Sequence, residues 1–238
     1  MDIKYGTNLS FDDSLVEDFV RESDVDFVVF PSVQNVAERQ RIEHQNDFDS
    51  ILNSVELFTR DYDSVAVEKS REYMGKLSEQ LVNCARLGGS GFFAPYFIDD
   101  KEVYDPLFRT IFSQTNANFD VIFPYTDLDV FFDVFDSIQP SKFKLNVEPN
   151  MLVDVDQENM DKIVDNIQHL SFPDRREEGE DDFDEYRDTV RYIFDETFYD
   201  EVYVFIHLVP GKLKRQVNKF RKSKQEIRSY LENVVEVV

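Results

Sequence analysis

VYVFIHLV, residues 202–209, is an unbroken run of β-branched, aromatic and aliphatic residues closed by Pro210 and Gly211. A short apolar run bounded by turn formers reads as a buried strand, and the chain beyond it has the periodicity of a helix. The same grammar recurs upstream: FVVFP ends at Pro31, FFAP at Pro95, DVIFP at Pro124 and KLNVEP at Pro149. In the strand expected at Val25 to Phe30 the apolar residues are continuous rather than alternating, as in a strand covered on both faces. Repeated strand–loop–helix units predict an α/β fold with a mostly parallel sheet of about six or seven strands. The preferred arrangement is an irregular or incomplete (β/α) barrel with a long C-terminal amphipathic helix, and an open doubly wound sheet is second. The 238 residues are read as one α/β domain.

Working outward, further strands are expected at 3–5, 25–30, 92–97, 119–123 and 142–148. Leu15, Val16, Phe19 and Val20 form the stripe of a helix packed on one side. Phe48, Ile51, Leu52, Val55 and Phe58 have helical spacing, and 67–87 reads as a helix stopped by Gly88–Gly91. That glycine run follows a helix and lacks a Gly-Lys-Ser/Thr ending, so a phosphate loop is the weaker reading. Helices are also expected at 106–114, at 128–138 behind an Asp127 cap, and from Asp156 through Met160, Ile163, Val164, Ile167 and Leu170. Residues 172–188, with the run PDRREEGEDDFDEYRD, read as an exposed acidic insertion before a helix at 186–194.

The chain is 42% hydrophobic with 23 Phe, ample for a core, and carries 26 basic against 49 acidic residues, a formal charge of −23. Such a field opposes nucleic acid and anionic membranes. It suits a solvated acidic surface, a dock for a basic protein partner or, least of the three, a mimic of nucleic-acid charge. Cys84 is the lone cysteine, so no intramolecular disulfide forms, as in a reducing compartment. The opening MDIKYGTNLSFDD has no basic start or apolar segment of a signal peptide, and no run reaches the ~20 residues of a membrane span. The expected location is cytoplasmic.

The basic C-terminal helix, 212–238, reverses the charge. Residues 211–238 hold eight Lys and Arg against three Glu, a local +5 beside −28 elsewhere. Leu213, Val217, Phe220, Ile227, Leu231, Val234 and Val238 form a heptad seam with Lys224 in its vacant slot. Docking on the chain's own sheet is favoured, and helix-mediated self-association is the second reading.

In a parallel sheet, ligands bind at the carboxyl ends of the strands. The polar residues there are Lys4, Tyr5, Thr7, Asn8, Ser32, Tyr96, Asp99, Tyr125, Thr126 and Asp127. Lys144, Asn146 and Glu148 alternate with Phe143, Leu145 and Val147, which makes one side of that strand polar throughout. His207 lies near the end of the last strand, where a hydrogen-bonded core role competes with a functional one. Asp127/Asp129 and Asp154/Asp156 have a D-x-D spacing that suits a divalent ion, though N-capping explains one Asp of each pair. No GxSxG, HExxH, Walker A or paired CxxC occurs.

MDIKYGTNLSFDDSLVEDFVRESDVDFVVFPS, SEQLVNCARLGGSGFFAPYF, KFKLNVEPN and VYVFIHLV together resemble, in layout, the metal-dependent hydrolases of the amidohydrolase superfamily. The resemblance implies an α/β barrel in which Lys144 stands where a lysine or glutamate ligand occurs and His207 matches a later-strand histidine. The His-x-His pair that the resemblance implies on the first strand is absent from residues 4–8. The expectation is therefore a non-catalytic binding or regulatory protein on a degenerate hydrolase-like barrel, acting through its acidic surface and last helix. The alternative is a metal-dependent hydrolase of a small substrate. In it His207 is base or metal ligand, Glu148 ligand or proton acceptor and Lys144 an electrostatic clamp, with Asn146, Tyr125 and Tyr96 binding substrate. The cofactor is left unknown, with a divalent metal as the candidate.

Overall fold

Strands form where the apolar runs end in proline or polar turns. The computed structural model describes residues 1–9, 13–30, 36–46, 49–53, 79, 82–83, 91–93, 120–124, 143–172, 183–208 and 211–235. It divides into two compact units: Met1–Phe27 with Lys144–Val238, and Val28–Phe143.

The first unit carries β1 (Asp2–Asn8), α1 (Asp13–Ser23), β6 (Phe143–Val147, from Lys144 on), α3 (Gln157–Ile163), β7 (Ile167–Phe172), α4 (Arg187–Glu196), β8 (Glu201–Ile206) and α5 (Leu213–Val234). Its strands run in the order β6–β7–β8–β1, every pair parallel. Lys4 lies opposite Tyr203 and Gly6 opposite Phe205, while His169 pairs with Tyr203 and Ser171 with Phe205. The start of β2 (Phe27–Phe30) lies against β1: Asp26 N–H donates to the Tyr5 carbonyl at 2.8 Å, and Tyr5 N–H donates to the Asp26 carboxylate at 2.8 Å. Gly6 has no room for a side chain, since a Cβ there would lie 2.4 Å from the Phe27 ring. The result is the curled, half-barrel sheet that the repeated apolar runs predict.

Rings from three strands meet on the inner face of this sheet. His169 stacks on Tyr203 at 4.8 Å, Phe27 meets the edge of Tyr203 at 5.4 Å, and Phe205 packs against His207 at 4.3 Å. The outer face is covered by helices. Phe19 of α1 meets Phe220 of α5 edge-on at 5.9 Å, and Phe172, Phe183, Tyr186 and Tyr230 form a second aromatic cluster. Val217, Phe220, Ile227, Leu231 and Val234 are all buried, so the heptad seam is part of this unit's own core. Lys224, the slot without an apolar residue, turns to α1's exit: Nζ donates to the Asp24 carbonyl at 2.6 Å and lies 3.5 Å from the Asp26 carboxylate. Asp24 has a φ of 56°, the left-handed geometry of a helix terminus, which Asp tolerates better than most residues.

The second unit holds the rest of β2, α2 (Val36–Asn46), β3 (Asp49–Asn53), β4 (Gly91–Phe93) and β5 (Asp120–Pro124). Strands β3, β4 and β5 are neighbours and parallel, Leu52 opposite Phe92 and Phe92 opposite Val121. Arg39 of α2 is buried with its guanidinium 4.9 Å from the Phe30 ring centre, a desolvated cation held over a π face.

Two helical readings give way to strands. Ile51 and Leu52 sit in β3, paired with β4. The helix from Asp156 stops at Ile163, passes one 3-10 turn, Val164–Asn166, and becomes β7. Ile167 and Leu170 match helical spacing by coincidence of a three-residue interval. Partners on both sides of β7 satisfy its backbone as a ladder, which outweighs local periodicity. The described strands therefore number eight. Asp156 is the N-cap the sequence implies, its carboxylate accepting from Asn159 N–H at 2.9 Å. Of the expected acidic insertion, Phe172 closes β7, Phe183–Tyr186 is a 3-10 turn that buries its two rings and leaves Asp184 and Glu185 exposed, and α4 follows, while 173–182 lie outside the described residues. The expected helices over 67–87 (apart from 79 and 82–83), 106–114 and 128–138 also lie outside them.

Candidate active site at the carboxyl ends of the strands

Parallel strands aim all their carboxyl ends at one edge, and the first unit's edge is polar. Glu148 follows the last residue of β6 and precedes the 3-10 turn Pro149–Leu152. Proline cannot extend the ladder, so the strand stops there and leaves the glutamate at the rim. Below it, Ser171 Oγ of β7 donates to Asn146 Oδ1 at 2.9 Å, and both residues are buried. A register shift between Leu145 and Asn146 accompanies this bond, re-aiming Asn146.

His207 lies just past β8. Its N–H donates to the Phe172 carbonyl at 3.0 Å, which carries the β7 ladder one step beyond the strand. On the other side the Asn8 carboxamide accepts from Leu208 N–H at 3.0 Å and donates to the Leu208 carbonyl at 3.3 Å. Thr7 Oγ1 donates to the Ile206 carbonyl at 2.7 Å. The imidazole is half-buried, and burial pushes its pKa down to about 4. It is thus neutral near pH 7, with one nitrogen to donate and one to accept.

The opposite edge has another character. Lys4 pairs with Glu201 at 3.1 Å, and the Tyr203 hydroxyl donates to the same carboxylate at 3.2 Å. Lys144 Nζ lies 3.8 Å from the centre of the Tyr199 ring, and the Tyr199 hydroxyl donates to the Asp165 carbonyl at 2.9 Å. Tyr199 and Asp165 precede β8 and β7, so Lys144 is turned to the amino-terminal side. His169 is fully enclosed above this layer. Burial, with a smaller contribution from Lys144, lowers its pKa to about 3 and holds it neutral.

Of the residues expected to form a site, the structure places Glu148 and His207 at the same edge, sets Asn146 beneath them and points Lys144 the other way. Tyr96 and Tyr125 lie outside the described residues. The helical reading of residues 167–170 hid His169 and Ser171; the alternation of His169 and Ser171 with Leu170 and Phe172 is the signal that could have revealed them. Among the described residues no group of three or more His, Cys, Asp or Glu is arranged to hold a metal ion. Among the described residues, Glu148 and His207 are the metal-capable side chains at this edge. Asp127 and Asp129 lie outside the described residues, and Asp156 is engaged as a helix cap.

No protein-family model and no curated protein matches the sequence. Solved structures do. A D-tagatose 3-epimerase-like protein superposes with a TM-score of 0.67 at 15% identity, covering 97% of this chain and 98% of its own. D-psicose 3-epimerase from Clostridium cellulolyticum H10 reaches 0.67 at 12% identity over 98% and 99%. A xylose isomerase domain protein from Alicyclobacillus acidocaldarius reaches 0.61 at 11% identity over 97% and 99%. The chain shares their fold. This overturns the likeness to the amidohydrolase superfamily, which rested on strand order and proline-closed turns, features common to parallel α/β chains generally. The expectations drawn from it fall too, both the non-catalytic binding or regulatory protein on a degenerate hydrolase barrel and the metal-dependent hydrolase. Among the described residues no helix is long and apolar enough to cross a membrane.

Proposed function

We propose that this chain is an isomerase or epimerase of a small carbohydrate, moving a proton at a carbon beside the sugar's carbonyl group. The observation that carries the reading is the pairing of a carboxylate, Glu148, with a neutral imidazole, His207, at the rim of a sheet whose fold is shared with sugar epimerases. A hydrogen on a carbon next to a carbonyl is acidic. Inverting that carbon requires a base on one face and a proton donor on the other. β7 separates β6 from β8, and neighbouring strands lie about 4.8 Å apart, so the two side chains start about 10 Å apart. A sugar fits between groups at that spacing, with each able to reach one face. Beneath them the buried Asn146–Ser171 hydrogen bond ties β6 to β7 and fixes the floor of the rim. A cytoplasmic setting fits this reading, given one cysteine in the chain.

The test is hydrogen exchange. The full chain is incubated with D-tagatose, D-fructose, D-allulose or a 3-keto-D-glucoside in D2O, with and without added divalent cations. Deuterium entering the carbon beside the carbonyl, read by NMR and lost in both Glu148→Gln and His207→Asn, is the expected result. No exchange with any of the four sugars under either condition sinks the proposal.

A further inference from the structure

We propose that Asn8 is the positioning residue for His207, its carboxamide serving as the next rung of the β1–β8 ladder. This rests on the reading of His207 as a proton-transfer group. The last regular pair between these strands is Thr7 with Ile206. Beyond a last pair, strand ends fray, because each further residue gives up backbone entropy of about 1–2 kcal/mol. Here the fraying is blocked. Asn8 uses its side-chain oxygen for Leu208 N–H at 3.0 Å and its side-chain nitrogen for the Leu208 carbonyl at 3.3 Å, the two bonds a neighbouring backbone would make. On the far side, His207 N–H is fixed to the Phe172 carbonyl at 3.0 Å. Leu208 is buried, which anchors the segment from below. The histidine between these ties has its backbone held from both flanks and its ring against Phe205 at 4.3 Å. A carboxamide carries a donor and an acceptor on one carbon, which lets Asn8 make both bonds to one residue's backbone.

The experiment is an NMR titration of the His207 imidazole in the full chain, assigned by its loss in His207→Asn. Burial is expected to hold that titration down, near 4, in the wild type. Asn8→Ala frees the segment, admits water and moves that titration toward the ordinary histidine value. Tyr199→Phe, which removes a hydrogen bond at the other edge, leaves it in place. Ketose turnover in Asn8→Ala is expected to fall ~10- to 100-fold in kcat with KM nearly constant, the cost of a misplaced catalytic group. Should Asn8→Ala fail to fold, Asn8→Ser, polar but too short for both bonds, is measured in the same way. An unshifted His207 titration in a folded Asn8 variant overturns the inference, even where the wild type is an active epimerase. A shifted titration in a protein whose wild type turns over no ketose upholds the positioning and removes the catalytic reading instead.

Discussion

The two edges of the first unit's sheet use the same kinds of residue to different ends. At the amino-terminal edge the cations are answered: Lys4 by Glu201, Lys144 by the Tyr199 ring. At the carboxyl-terminal edge a carboxylate, a neutral imidazole and a buried amide–hydroxyl pair are gathered, and the hydrogen bonds of Asn8 go into shaping the backbone. Charges that are mutually satisfied contribute to stability and little else, whereas groups of unlike protonation behaviour at one rim are what acid–base chemistry uses. Position along the strand, more than residue type, separates the two roles.

The hardest test of that contrast is to remove chemistry from one edge without harming the fold. Glu148→Gln and His207→Asn are each expected to lower turnover by ~100- to 10,000-fold, the range for loss of a general acid or base, while melting temperature changes by only a few degrees. A melting temperature that collapses along with activity would place these residues with the structural edge.

Next in size is the layer between the edges. Gly6→Ala drives a methyl group to 2.4 Å from the Phe27 ring, and overpacking of this kind costs about 1–3 kcal/mol in urea unfolding. Unchanged stability would mean that the inner face gives way more easily than its ring contacts suggest. Phe220→Ala in α5, fully buried against Phe19, is expected to cost more, about 3–5 kcal/mol, while leaving His207's titration alone.

Acid sharpens the comparison. His169 and His207 are both held neutral below the ordinary value of 6.5, to about 3 and about 4. Unfolded chains take up a proton as pH falls through 6.5, and the folded protein does not. Stability is therefore complete above that pH and declines as pH falls toward the folded values, by about 1.4 kcal/mol per pH unit for each histidine. His169→Phe should flatten this decline in pH-dependent denaturation without moving the acid limb of turnover, which on the proposed mechanism is set by His207. A shared effect of His169→Phe on both curves would mean that the two edges are coupled.

The smallest effect is expected at the structural edge. The Lys4–Glu201 pair is partly exposed, and such pairs contribute about 0–1 kcal/mol. Lys4→Met should therefore change stability by that little and leave turnover as it was. A large loss of turnover would show that the cation reaches the chemistry.

Much of the scaffold was legible in the residues. Proline-closed apolar runs announced parallel strands, and the heptad positions from Val217 to Val234 announced a helix packed on its own core. β7 was not legible, because Ile167 and Leu170 satisfy helical spacing as well as a strand's interior, and backbone partners from two neighbours decide between them. In the sequence Glu148 stood out by its alternation with Lys144 and Asn146 and His207 by its place near a strand end, whereas the bonds of Asn8 were hidden because they run to a residue 200 positions away.

The order of apolar and turn-forming residues by itself determined an α/β chain of parallel strands with a terminal amphipathic helix, because burial on both faces and the geometry of proline are local constraints. The tertiary structure alone decided which polar residues share an edge. Lys144 and Glu148 stand in one polar stripe, yet at 3.3 Å per residue they are about 13 Å apart along the strand. One rests on Tyr199 at the amino-terminal side, and the other reaches the rim with His207. Which end of a strand faces chemistry depends on the register of its neighbours, and register is made by contacts distant in the chain.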